Sequence, residues 1–127
     1  TTAAAPPAVL QGFAVPRSEG GFVLVDRTLR TTGEVPIFAA GDTAEFPVPI
    51  PKAGVYSVRQ GPILWHNLRA ILTGKPLQTY NPQRGFLALL ACGDGTAILD
   101  YKGWSIRSGW AWGLKCWIDR AFVRRFR

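Results

Sequence analysis

The sequence predicts a mixed fold of helices and sheet, of the α+β or α/β class. Three patterns carry the prediction: two short β-branched apolar runs early in the chain, a helical periodicity from about residue 52 to 73, and a late hairpin signal followed by an amphipathic helix. GFVLVD (21–26) follows Gly20-Gly21, and PIFAAG (36–41) follows the polar connection RTLRTTGEV. Both runs read as strands of a sheet buried on both faces, where no polar alternation is needed. Pro47, Pro49 and Pro51 exclude regular structure as far as Pro51, which suits a first helical position. Val55, Val58, Ile63, Leu64, Leu68 and Leu72 then recur at helical spacing; Pro62 kinks or divides that helix, and Thr73-Gly74 ends it. FLALLA (86–91) and TAILDY (96–101) flank Gly93-Asp94-Gly95, a hairpin signal. The last helix, about 109–126, puts Trp110, Leu114, Trp117, Ile118, Ala121 and Phe122 on one stripe, with Lys115, Asp119, Arg120, Arg124 and Arg127 mostly elsewhere. The expected division is 1–75 and 76–127.

A chain of 127 residues with 47% apolar and 18% charged residues can bury a core and is not compositionally disordered. No apolar run reaches the eighteen or so residues of a membrane-spanning helix. The chain has no methionine and opens TTAAAPPAVL, which lacks the basic start and apolar stretch of a secretion signal; a processed or excised piece is the expectation. Cys92 and Cys116 form no C-x-x-C pair and read as two buried free thiols of a cytoplasmic protein. With His66 the only histidine, neither a zinc cluster nor a Ser-His-Asp set is visible, and His66 reads as an ordinary helix histidine. The net charge of +7 is uneven: residues 102–127 hold seven basic side chains and one acid, hence +6, together with Trp104, Trp110, Trp112 and Trp117. That end expects an anionic partner, and its tryptophans expect a core or an interface.

VPIFAAGD (35–42) poses the sharpest question, because a run that reads as buried strand stops on a glycine and a carboxylate. Gly-Asp is good turn chemistry, and a turn alone would explain it. The functional alternative is that Asp42 lies at the carboxyl end of a parallel strand, where open α/β sheets bind ligands, and accepts hydrogen bonds from a polyol. A helix starting near Lys52 would add free N–H groups at Ala53 and Gly54 and the positive end of a helix dipole.

The string T-x-x-x-x-x-x-V-P-I-F-A-A-G-D resembles the second flavin-binding motif of FAD-dependent pyridine nucleotide-disulfide oxidoreductases, type II NADH dehydrogenase-like enzymes among them. KAGVYSVRQGPILWHNLRAILTGKPLQTYNPQRGFLALLACGDGTAI is similar to the FAD-dependent domain that occurs alone or fused to selenide, water dikinase, and the similarity runs from GFVLVD to W-x-x-x-L-K-x-W-I-D-R-A-F. The resemblance implies the carboxyl-terminal portion of a flavoprotein with two dinucleotide-binding domains. It assigns Asp42 to the ribityl chain of FAD and Gly41 to its close approach. Lys52, Ala53 and Gly54 become the helix start facing the pyrimidine edge of the flavin, and Gln60 the candidate to touch nicotinamide or an electron acceptor. It implies that residues 1–75 are the end of the FAD-binding domain and 76–127 an interface subdomain. The G-x-G-x-x-G fingerprint is absent, so the pyrophosphate cradle and the NAD(P)H site are expected upstream, and the chain alone is expected to be inactive. The redox C-x-x-x-x-C of the disulfide reductases is missing too, which implies direct flavin chemistry.

Two functions follow as expectations. One is an FAD-dependent NAD(P)H oxidoreductase of which this chain forms a part. The alternative is a non-catalytic interaction module whose basic amphipathic end, 102–127, docks on an anionic membrane surface or a partner subunit. Self-association, most simply as a two-fold dimer, is expected from an incomplete sheet and the tryptophan-rich stripe. Nucleic acid ranks last, because charge alone supports it. The expected location is cytoplasmic, with a peripheral position at the cytoplasmic membrane face as the alternative.

Overall fold

The computed structural model describes residues 4–126 and is a mixed helix and sheet structure of the α+β class. It contains two compact units, and the chain passes from the first to the second between Pro82 and Gln83.

The first unit is built on an irregular sheet. β1 (Val23–Leu24) and β2 (Ala44–Glu45) pair in parallel, Val23 opposite Ala44 and Leu24 opposite Glu45, and the Val25 N–H continues the pairing to the Glu45 carbonyl. The strand expected over 21–26 is thus only its centre. The strand expected over 36–41 does not form a ladder: it makes one bridge, Arg30 to Phe38, with Thr31 N–H bonded to the Ile37 carbonyl and Ala39 N–H to the Leu29 carbonyl. Pro36 has no N–H to give, and Gly41 turns the chain before the parallel pairing begins at Ala44. Between these segments, Asp26 Oδ1 accepts from the Thr28 and Arg30 N–H groups and bends the chain at residues 26–30. That bend delivers Leu29, at φ 67°, into the core with Val23, Val25, Ala44, Phe46 and Tyr80.

α1 (Gly54–Thr73) begins later than Pro51 suggests, because Ala53 is extended and closes a tight turn onto the Pro51 carbonyl. Pro62 neither divides nor ends it; the carbonyl of Val58 that Pro62 leaves unbonded lies on the solvent side, where both residues are exposed. Gly74, at φ 64°, terminates the helix as expected, and the Lys75 N–H returns to the Ala70 carbonyl. The buried stripe departs in part from the apolar one expected. Tyr56, Gln60, Asn67 and Ala70 are buried, and Ile63 and Leu64 of the expected stripe pack against the core, whereas its Val58, Leu68 and Leu72 are exposed, Leu72 by 84%, as is Trp65. Asn67 explains the choice. Its Nδ2 donates to the carbonyls of Thr28 (2.7 Å) and Gln78 (2.8 Å), and its Oδ1 accepts from the Gln78 N–H (2.7 Å). Loop backbones with spare donors and acceptors need a polar helix face. The same clamp moves the boundary expected at 75/76 to 82/83, because Gln78 is held by Asn67 and the Tyr80 N–H bonds the Arg27 carbonyl at 2.7 Å.

The second unit holds the expected hairpin and an additional strand. β3 (Ala88–Ala91), β4 (Ala97–Tyr101) and β5 (Trp104–Ser108) form an antiparallel sheet in that order. Gly93 and Gly95 take positive φ in the first turn, where Asp94 accepts from the Thr96 N–H at 3.0 Å and pairs with Arg107 across the sheet. The Thr96 bonds, then Arg107, hold the Asp94 carboxyl below its ordinary value. Lys102 and Gly103, both at positive φ, form the second turn. α2 (Gly109–Val123) packs on β3 and β4; Ser108 caps it by accepting from the Ala111 N–H, and it ends in a short 3₁₀ turn, Arg124–Phe126. Among the described residues of this unit Ala97 and Ala111 are buried. The expectation of buried thiols is corrected, since Cys92 is exposed and Cys116 half-buried, both free. Among the described residues no helix is long and apolar enough to cross a membrane.

Asn67→Ala should cost about 2–4 kcal/mol, because it orphans buried carbonyls and an N–H as well as removing bonds. Leu72→Ala, at an exposed position, should stay within about 0.5 kcal/mol of wild type. Urea unfolding of both variants checks this, and equal losses would show that Asn67 is no clamp.

Candidate functional site

The end of VPIFAAGD is a single 3₁₀ turn, Gly41–Thr43, entered from an extended Ala40 and closed by the Ala44 N–H on the Gly41 carbonyl. The Thr43 hydroxyl donates back to the Ala40 carbonyl at 3.0 Å. Glycine is required at 41 on two counts. Its φ is +69°, and a Cβ there would stand 3.1 Å from Ser57 Oγ on the first turn of α1. The approach is fixed from behind by Gln60, 1% exposed, whose Oε1 accepts the Gly41 N–H at 2.6 Å. Gln60 therefore supports the turn rather than reaching out to a ligand, which changes the role expected for it. The spacing of Tyr56, Gln60, Asn67 and Ala70 (i, i+4, i+11, i+14) is the signal that could have found it, had polar residues been admitted to the buried stripe.

Lys52 straps the front of the turn. Its Nζ donates to the carbonyls of Asp42 (3.0 Å) and Ala44 (2.6 Å) and lies 4.0 Å from the centre of the Phe22 ring. Partial burial pushes its pKa below the ordinary lysine value, while Glu45 and then Asp42 pull it back up. Its hydrogen-bonding capacity is thus largely turned inward. The Ala53 N–H, expected to be free, is bonded to the Pro51 carbonyl at 3.0 Å.

Two polar groups at this corner remain open. The Asp42 carboxylate is exposed and makes no side-chain hydrogen bond or ion pair with the described residues. The Gly54 N–H begins α1 without a side-chain cap, since Ala53 offers none, and a Cβ at Gly54 would meet nothing within 4 Å. An uncapped helix start with room in front of it accepts an electron-rich atom. Of the five residues expected to hold a flavin, Asp42 and Gly54 present open polar groups, Gly41 makes the turn that presents Asp42, and Lys52 and Ala53 have their polar groups engaged within the chain. His66 is exposed on α1, remote in sequence from this corner.

Behind Gln60 lies Tyr80, a core residue with a buried hydroxyl. Burial raises its pKa above the ordinary phenol value and the neighbouring Tyr56 adds to this, while Arg59 and the Gln60 amide offset part of the rise. No family model matches this chain, and no curated protein matches it.

Gly41→Ala should destabilise by about 1–2 kcal/mol through backbone strain and the Ser57 contact. Gly54→Ala, with open space and a helical position, should be neutral or gain up to about 1 kcal/mol. Thermal or urea unfolding of the pair distinguishes a shaped turn from a tolerant loop.

Proposed function

We propose that this chain forms the ribityl- and isoalloxazine-facing side of the flavin site of an FAD-dependent NAD(P)H oxidoreductase. The observation that carries the reading is the corner itself. Gln60 and Lys52 consume the inward-facing polar groups and leave an exposed carboxylate at Asp42 and an open helix start at Gly54. A carboxylate accepts from sugar or polyol hydroxyls, and a helix N-terminus stabilises negative charge on a reduced ring. The resemblance of VPIFAAGD and KAGVYSVRQGP to the flavoprotein motifs points the same way. FAD, when bound, would supply the hydride acceptor and the electron relay. The residues of this chain bind and orient. Nothing here cradles a pyrophosphate, so NAD(P)H and the adenine half of FAD belong to sequence that carries the missing fingerprint.

Titration with FAD, read by flavin fluorescence, should show no stoichiometric binding to the isolated chain at micromolar concentration. In the full flavoprotein that this reading requires, Asp42→Ala should weaken FAD roughly ten- to a hundredfold, the worth of one charged hydrogen bond. Full flavin occupancy and unchanged turnover in that mutant would make Asp42 a turn residue and nothing more.

A second reading, compatible with the first, rests on the outer side of α2. Trp110, Trp117 and Val123 are exposed, Trp117 by 67%, and Arg120, Arg124 and Arg125 are exposed around them. The second unit has eight basic residues against three acids, +5, and only Arg107 and Lys115 are ion-paired among those described. We infer that this face docks on an anionic membrane surface, aromatic edges at the interface and arginines on headgroups. It should sediment with vesicles containing anionic phosphatidylglycerol, not with pure phosphatidylcholine, and Arg120→Glu with Arg124→Glu should abolish this. Vesicle-independent growth in mass by light scattering would give the face to self-association instead.

A further inference from the structure

A second feature of the first unit, apart from the Asp42 corner, has the form of a small-molecule site. Beyond the β1–β2 pair lies a half-open cavity of about 280 Å³. Its floor is Phe46 and Tyr80, with ring centroids 6.0 Å apart and planes inclined at 49°. Pro47, Ile50 and Pro82 form walls, and Arg27 stands at the rim as the one charged group. At about 30 Å³ per water-sized group the space holds roughly nine such groups, a ring and a short aliphatic stem.

The rim is what gives the cavity a chemistry. Arg27 is anchored twice: its carbonyl accepts the Tyr80 N–H at 2.7 Å, and one Nη2–H donates to Asn81 Oδ1. The adjacent carboxylate does not neutralise it, because Asp26 Oδ1 is occupied by the Thr28 N–H, the Thr28 hydroxyl and the Arg30 N–H. Among the described residues no carboxylate pairs with Arg27. A guanidinium has five donors in a planar fork, and the Asn81 bond uses one. An oriented, unpaired fork above a rigid apolar slot is complementary to a monocarboxylate with a flat apolar body. Proline walls and packed rings limit the ordering cost of binding. A phosphate dianion fits less well, since a single cation faces an otherwise apolar lining.

We propose that this cavity binds small aryl-alkyl carboxylates, with the ring on Phe46 and Tyr80 and the carboxylate bidentate on Arg27. The inference goes beyond the flavin reading and does not depend on it: the residues differ, and FAD need not be present. The test is a two-dimensional NMR titration of the full chain with 3-phenylpropanoate, using 3-phenylpropanol as the uncharged control. Saturable shifts of the amides of Tyr80, Val48 and Arg27 are expected with a Kd at or below about 1 mM, and the alcohol should bind about tenfold more weakly. Arg27→Gln, at an exposed position, should weaken the carboxylate about tenfold while leaving the alcohol unchanged, and Arg27→Lys should fall between. Absence of saturable shifts at ~10 mM, equal affinity for acid and alcohol, or an Arg27→Gln titration matching wild type would overturn the proposal.

Discussion

Two carboxamides on one helix hold the first unit together. Asn67 and Gln60, buried on the inner face of α1, bond to loop backbone: Thr28 and Gln78 for one, Gly41 for the other. The sheet behind them is only two residues of parallel ladder, too short to satisfy the connecting segments. Chain that leaves a ladder must find partners for its N–H and C=O groups, or lose about 1–3 kcal/mol for each one buried without them. An amide side chain carries both donor and acceptor, so one residue can satisfy the N–H and the C=O on one edge of a strand-like segment, as Asn67 does at Gln78.

The same constraint shapes the candidate site. Because Gln60 draws the Gly41 N–H inward and Lys52 draws the Asp42 and Ala44 carbonyls toward the start of α1, the turn is gripped from both sides. What remains on the outside is a carboxylate whose backbone cannot wander. A ligand meeting it would spend little on ordering the loop, which is the advantage of building a contact on a braced turn. Lys52 contributes this at some electrostatic cost: its charge is partly desolvated, and the Phe22 ring, Glu45 and Asp42 offset that cost.

Much of the second unit was legible in the sequence because its signals are local. Gly93-Asp94-Gly95 fixed the hairpin and Gly109–Val123 the helix, both within short windows. β5 carries a weaker signal: Lys102-Gly103 is turn chemistry and Trp104 to Ser108 alternates, but the segment lies next to the stronger helical stripe of the tryptophans. In the first unit the end of α1 at Gly74 and the turn at Gly41–Asp42 were readable from glycine chemistry. The strand at 36–41 was not, because an apolar run reports burial and not hydrogen bonding, and Pro36 with αL Gly41 limits the ladder. The inward face of α1 was misread for a related reason. Hydrophobic spacing assumes an apolar partner, which Ile63 and Leu64 find in the core, whereas Gln60 and Asn67 meet loop backbone.

That substitution has a consequence for the outer face of α1. Ile63 and Leu64 pack against the core beside Gln60 and Asn67, while Val58, Trp65, Leu68 and Leu72, at i, i+7, i+10 and i+14, are left exposed on the other side of the helix. Isolated exposed apolar residues are ordinary, but a band on one helix face forfeits about 1.5–3 kcal/mol of burial for each large side chain left in water. Helical propensity does not demand these residues, since lysine or glutamate would serve as well at a solvated position. The clamp of Asn67 and the grip on Gly41 act from the opposite side of the helix, so the inward polar contacts and these exposed apolar residues are independent features of α1.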